Sequence, residues 1–281
     1  MQKMAVIDLD DTLLSPDKSI SPANLQALRT LQEKGFEIII GSGRHHENIV
    51  RFEERIGQQG WVISSNGAVV RHARTSVLLH ERTLTLAQAL DVCRYAAERD
   101  LTVVGYHRHG AFADQNSEWT LRYALGAGWH PKRGNLNELA ATGLQKVLLI
   151  HSPGTIDNIQ QDVERRFGTE MYVVRTENEI LEVGAPDINK AVGAQAVAKM
   201  LGVASQDVVA FGDGNNDVEL LAWAGLSVAM SHGRENARKA AKLISPPGSR
   251  ATAFARAVHA LLERICSRDI ADASAENVGA L

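Results

Sequence analysis

Asp213 and Asp217 stand four residues apart in Gly212-Asp213-Gly214-Asn215-Asn216-Asp217, directly after the apolar run Val208-Val209-Ala210-Phe211. The glycines free the backbone, and the carboxylates offer the oxygen ligands that a hard cation takes. A second acidic cluster, Asp8-Leu9-Asp10-Asp11-Thr12, ends another apolar run near the amino terminus. Residues two apart on a strand face the same way. Asp8 and Asp10 can therefore point to one spot past the strand's carboxyl end, where open α/β sheets bind ligands. Taken alone, the Asp8–Asp10 stretch also fits an ordinary acidic turn. Gathered in one small volume, the four carboxylates would repel by about 4 kcal/mol for each pair ~4 Å apart at an effective dielectric of 20. Several such pairs exceed what a marginally stable domain absorbs. Either some are protonated or a cation sits among them, and an all-oxygen donor set favours a hard ion such as Mg2+.

Two further features suit an anion. Ser42 lies between Gly41 and Gly43 after the apolar run Ile38-Ile39-Ile40. Small residues there let backbone N–H groups approach an anion, although a glycine-rich strand-to-helix turn looks the same. Lys190 falls near the start of a helix, where a cation is unfavourable by up to ~1 kcal/mol. That misplaced charge is either a tolerated, solvated lysine or one retained to pair with phosphate or the carboxylates. The adjacent His45 and His46 read as a solvated helix start rather than as ligands.

The elements that must carry these residues alternate. Apolar strands at residues 4–9, 38–40, 61–63, 208–211 and 226–229 are separated by helices that include one opened by Ser21-Pro22 and closed by Gly35, one at 190–201 and one at 216–224. Ser as cap and Pro in the first turn start a helix, and glycine ends it. Leu25, Leu28 and Leu31 line its buried side. Continuous apolar strands alternating with helices predict an α/β fold, a Rossmann-like parallel sheet covered on both faces. Residues 83–186 read differently. They hold a helix at 86–99 with Ala87, Leu90, Cys93 and Ala97 on one face, strands at 102–106, 146–150, 171–174 and 180–183, and a helix at 157–167. This is an α+β insert, which assigns 1–82 and 187–268 to the core, 83–186 to a second domain, and 269–281 to a frayed tail.

The totals bound the rest. The 281 residues suffice for two domains, and 44% hydrophobic content builds a core. A formal net charge of −3 with no basic block argues against nucleic acid as a partner. Cys93 and Cys266 make no disulfide framework, and no cluster has zinc spacing. No apolar run approaches the ~20 residues that span a membrane, and no signal-peptide layout opens the chain. A cytoplasmic protein is expected, a monomer or homodimer, acting on a small molecule.

The four pieces together resemble the haloacid dehalogenase (HAD) superfamily, and within it the Cof-type phosphatases with a large α/β cap of type IIB. The motifs are Asp8-Leu9-Asp10-Asp11-Thr12, Ser42 in Ile-Gly-Ser-Gly-Arg, Lys190, and Gly212 through Asp217, with Ser64-Ser65-Asn66-Gly67-Ala68 after the third strand. Their order and the position of the insert agree with that group. The resemblance implies a hydrolase in which Asp8 attacks phosphorus and Asp10 protonates the leaving alcohol. It further implies Mg2+ held by the Asp8 side chain, the Asp10 carbonyl and Asp213, with Asp217 in support. Ser42, Lys190 and the backbone near Gly43 would hold the phosphoryl group. Asn216 would touch that group or orient Lys190, and Arg44 and Asn66 are further candidate contacts. Residues 83–186 would be the cap that selects substrate. Its stretch Tyr106, His107, His109, Trp119 and Arg122 fits packing or surface better than a face toward the site. Asp11 departs from the pattern, standing where the family most often has glycine, and its charge would work against anion binding.

The expected function is a Mg2+-dependent phosphatase acting on a small phosphorylated metabolite such as a sugar phosphate. A phosphomutase of the same superfamily would share the motifs but would not pass oxygen from water into phosphate. A non-catalytic phosphate-binding module would have no need of Asp10.

Overall fold

The computed structural model describes residues 2–57 and 60–278, with side chains followed to residue 267. The chain forms two compact units, Met1–Ile40 with Ala198–Leu281, and Gly41–Val197. The tail read at 269–281 lies outside the residues whose side chains are described.

In the first unit, strands Lys3–Ile7, Phe36–Gly41, Val208–Gly212, Leu226–Ala229 and Leu243–Ile244 run parallel. Lys3–Ile7 lies between Val208–Gly212 and Phe36–Gly41, in register Ala5 with Val209 and Val6 with Ile39. Central strands of a parallel sheet are covered on both faces, hence their unbroken apolar runs. Met4 through Ile7 and Val208 through Phe211 are buried throughout. The parallel α/β core expected from the sequence is thus observed. Ser21 caps the helix Pro22–Glu33, its hydroxyl accepting from the Asn24 N–H at 3.2 Å, and Gly35 follows at φ +80°. Of the three leucines assigned to its buried side, Leu28 and Leu31 are buried and Leu25 is half-buried. Wholly buried Asn24 was not foreseen. Its amide donates to the Leu13 carbonyl at 2.9 Å and its oxygen accepts from the Ala255 N–H at 3.1 Å, tying the loop after the first strand to the helix Ala253–Val278.

In the second unit, Trp61–Ser64, Val69–His72 and Leu78–Glu81 form antiparallel pairs. A six-stranded sheet runs in the order Tyr172–Glu177, Ile180–Gly184, Leu144–Ile150, Thr102–His107, Gly110–Ala113, Lys132–Arg133, antiparallel except for the last pair. Helices Leu86–Ala97 and Pro153–Phe167 pack on one face through Val92, Tyr95, Ile156, Val163 and Phe167 against Val147, Leu149, Leu181 and Val183. The other face carries Val104, Tyr106, Leu148 and Ile150 with Tyr123 of the helix Glu118–Ala127.

Two details differ from the sequence reading. The helix Leu86–Ala97 buries Ala89, Val92, Tyr95 and Ala96, while Ala87 and Ala97 are exposed and Leu90 and Cys93 only half-buried. A face drawn through Ala87 and Ala97 lies beside the true one because small alanines mark either side of a stripe equally well, whereas Tyr95 had to go inside. The helix Glu118–Ala127 and the short strands around it were not anticipated, although Ser117 and Thr120 form a reciprocal cap and Gly128 closes the helix at φ +60°.

Val92→Ala should lower stability by about 2 kcal/mol through lost burial and a residual cavity, while Ala87→Ser should stay within about 0.5 kcal/mol. Thermal unfolding of both checks this; equal losses would restore the buried face to Ala87.

Candidate active site

The first unit gathers the carboxylates. Oxygens of Asp8, Asp213 and Asp217 lie within 4.8 Å of one another. Asp8 extends the first strand, its N–H donating to the Phe211 carbonyl at 3.0 Å. The chain then makes two wide turns, Leu13 N–H to the Asp8 carbonyl at 3.3 Å and Leu14 N–H to the Leu9 carbonyl at 2.8 Å. Such i to i+5 turns occur often at functional sites. Asp217 is wholly buried, and its Oδ2 accepts from the N–H groups of Asp213 and Gly214 at 3.0 and 2.9 Å. Gly212 makes room for it: a Cβ there would lie 2.5 Å from the Asp217 carboxyl carbon. Thr12 donates its hydroxyl to Asp213 Oδ1 at 3.0 Å.

Burial first, then the charges of Asp8 and Asp217, push the Asp213 carboxyl well above its ordinary range, against the hydrogen bond from Thr12. This is the repulsion the sequence implied, and it is the condition that a bound cation relieves. Three buried or half-buried carboxylates with oxygens this close fit a hard divalent ion. The Asp10 carboxylate is not in this group. It pairs with Lys18 Nζ at 2.7 Å, both side chains about one-third exposed.

Asp11 has φ +57°, a left-handed conformation that glycine adopts freely and Asp tolerates better than most. Its carboxylate lies 3.6 Å from Arg250 and its carbonyl accepts from His232 Nε2 at 2.8 Å. The extra charge expected at this position therefore has a counter-charge beside it.

The second unit holds Ser42, Gly43, Arg44, Asn66 and Lys190. Ser42 is buried; its N–H donates to the Ile63 carbonyl at 2.9 Å, and its carbonyl accepts from the Asn66 N–H at 3.1 Å. Gly43 packs against Asn66, whose Oδ1 would sit 2.9 Å from a Cβ. Lys190, the first residue of the helix Lys190–Leu201, is wholly buried. The solvated alternative is thereby excluded. Gly67, at φ +99°, lets Asn189 approach: a Cβ would stand 2.1 Å from the Asn189 carbonyl oxygen. Asn189 Oδ1 caps the helix by accepting from the Val192 N–H at 3.1 Å.

Arg44 and Asn66 spend donors on protein partners. Arg44 Nη1 donates to the Ala127 carbonyl at 2.7 Å, and Asn66 Nδ2 donates to Glu182 Oε2 at 2.7 Å. Glu182 and Lys146, both missed in the sequence, form a buried pair at 2.8 Å. Burial lowers the Lys146 ammonium pKa against the opposing charge of Glu182. Each was legible as a charge inside an otherwise apolar strand. Asn216 is half-buried in the loop after Val208–Gly212.

His45 and His46 are not solvated, as their polarity had suggested. His45 Nδ1 accepts from the Glu47 N–H at 3.2 Å, so the proton is on Nε2, which donates to the His107 carbonyl at 2.7 Å. Its ring stacks on Trp129 at 5.2 Å. Burial holds both imidazoles down to about 4. Within the stretch 106–122, Tyr106 is buried with its hydroxyl 2.7 Å from that of Tyr123, and Arg122 is exposed.

A family model described as haloacid dehalogenase-like hydrolase matches residues 5–257. The HMP-PP phosphatase of Serratia proteamaculans is 27% identical over 241 residues, 83% of this chain and 85% of the relative. That of Cronobacter sakazakii is 25% identical over 83% of this chain and 85% of its own length. A crystal structure of a haloacid dehalogenase-like hydrolase from Bacteroides thetaiotaomicron aligns at TM-score 0.82 with 23% identity, over 93% of this chain and all of that one. A HAD subclass IIB sugar phosphatase also aligns at 0.82, with 18% identity, over 92% and 99%. These two structures speak to the fold. Among the described residues no helix is long and apolar enough to cross a membrane.

In a chelator, Asp213→Asn should melt higher than the parent because an amide has no ionised form for burial and the neighbouring carboxylates to oppose. Adding Mg2+ should raise only the parent, by about 2.7 kcal/mol at 100 times the dissociation constant. A parent unmoved by millimolar metal would end the cation argument. A second expectation concerns pH. His46 has a folded pKa depressed from 6.5 to about 4, so its contribution is complete above 6.5, shrinks as pH falls and is lost by about 4. The loss is about 3 kcal/mol. His46→Leu should reduce the acid sensitivity in that window; identical pH profiles of melting temperature would contradict it.

Proposed function

Since the chain belongs to the haloacid dehalogenase-like hydrolases, we propose that it is a Mg2+-dependent phosphatase that hydrolyses a small phosphorylated metabolite through an aspartyl-phosphate on Asp8. The observation that carries this reading is the convergence of Asp8, Asp213 and Asp217 within 4.8 Å. A nucleophile must be ionised and a general acid must not, so two carboxylates divide the work. Asp8 attacks phosphorus. Asp10, once it exchanges its Lys18 partner for a proton, gives that proton to the leaving alcohol and later takes one from the hydrolytic water. The Asp8 side chain, the Asp10 carbonyl and Asp213 would hold the metal, with Asp217 in support through the loop it organises. Bound Mg2+ supplies neutralisation of charge on the phosphoryl oxygens.

Ser42, Lys190 and the Gly43 backbone hold the phosphoryl group, and Asn216 contacts it or orients Lys190. Arg44 and Asn66, whose side chains donate to Ala127 and Glu182, shape this loop from behind. Residues 83–186 act as the cap that chooses the substrate. The relatives named HMP-PP phosphatases make HMP-PP the first compound to try, beside sugar phosphates.

The test is a panel of phosphorylated metabolites with Mg2+, read as released phosphate, run in parallel with Asp8→Asn. Turnover on at least one compound and its loss in the variant are expected. Appreciable residual turnover in Asp8→Asn would refute the nucleophile assignment.

A further inference from the structure

Along Leu144–Ile150 all seven residues are buried. Val147 and Leu149 join the helix-covered core, which puts Lys146, Leu148 and Ile150 on the opposite face. Tyr106 lies across from Lys146 in the neighbouring strand, and the Lys146 ammonium sits 4.6 Å from that ring. Glu182, between Leu181 and Val183 of the helix-covered core, faces the same way as Lys146. An unpaired charge in such a place would cost several kcal/mol, so the pair is retained against a strong bias toward apolar residues.

What the pair holds is specific. Glu182 Oε2 accepts from Lys146 at 2.8 Å and from Asn66 Nδ2 at 2.7 Å. The same ammonium donates to the Gly43 carbonyl at 2.7 Å. The Gly43 carbonyl and the Arg44 N–H belong to one planar trans peptide, so fixing the first aims the second the opposite way. The Arg44 N–H donates to Ser42 Oγ at 3.2 Å. A serine hydroxyl has one proton and two lone pairs. With an amide on a lone pair, its own O–H is left to donate outward.

We propose that Lys146, anchored by Glu182, is a positioning residue that sets the Ser42 hydroxyl for phosphoryl binding by pinning the Gly43–Arg44 peptide. This rests on the phosphatase reading and on Ser42 as a phosphoryl contact. A plain structural pair would stabilise the fold but would have no energetic link to one hydroxyl. The Lys146 link is relayed through a single peptide plane and terminates on that oxygen.

The experiment is a double-mutant cycle on the full chain, with p-nitrophenyl phosphate and saturating Mg2+ as the assay and melting temperature recorded for each variant. One arm is Lys146→Met with Glu182→Gln, which removes both charges together and leaves neither unpaired. The other is Ser42→Ala. The paired change should lower kcat by about 10- to 100-fold, the scale of a small misplacement at a reacting centre, and should cost less than twofold once Ser42 is already alanine. If the paired change does not fold, Glu182→Gln alone, which keeps the ammonium but removes its anchor, serves in the same cycle. Equal losses in both backgrounds, or no loss in the parent background, overturn the proposal and leave the phosphatase reading intact. A Ser42→Ala variant as active as the parent overturns both the proposal and the assignment of Ser42.

Discussion

Like charges held close together dominate the first unit. Asp8, Asp213 and Asp217 come from two loops about two hundred positions apart in sequence, yet their oxygens lie within 4.8 Å. Little in the polypeptide itself makes that favourable, and the raised pKa of Asp213 records the cost. The surrounding backbone is arranged to bear it. Two amides point at Asp217, Thr12 points at Asp213, and a missing side chain at Gly212 lets Asp217 turn inward. A Cβ at Gly233 would meet the Asp213 carbonyl oxygen at 2.8 Å, so the segment beyond the next strand also has to approach bare. Stability is sacrificed locally to hold three carboxylates within reach of one another.

Much of this arrangement was readable from residue order. The two acidic clusters, the apolar strands before them and the cap of the helix Pro22–Glu33 each rest on local rules: period, turn chemistry and hydrogen-bonding capacity. The gathering of Asp8 with Asp213 was inferable because adjacent parallel strands bring their carboxyl ends to one edge. What escaped was contact made through tertiary packing. Asn24 reads as one more polar helix residue, yet it is wholly buried with both ends of its amide bonded. His45 and His46 read as solvated for the same reason. The Asp10 carboxylate was assigned to the acidic group by strand alternation, but the chain leaves the strand after Ile7 and the side chain meets Lys18.

Asp11 shows how a departure from a family pattern can be absorbed. The turn has positive φ, a conformation that glycine meets without steric cost. An aspartate can adopt it at a modest energetic cost, and Arg250 stands near enough to screen the added charge. The backbone constraint is kept while the electrostatic one is handed to a residue more than two hundred positions away.

Asn24 has a consequence for how the chain can be edited. Its amide joins the loop that leaves Asp8 to the first turn of the helix Ala253–Val278. Fusions, affinity tags or nicks that disturb that turn reach the loop after Asp8 through one side chain, whereas extensions past the helix's far end leave the link untouched. The distal boundary is thus the forgiving place to attach cargo, and the stretch near Ala255 is where a junction would silence the enzyme without touching a single acidic residue.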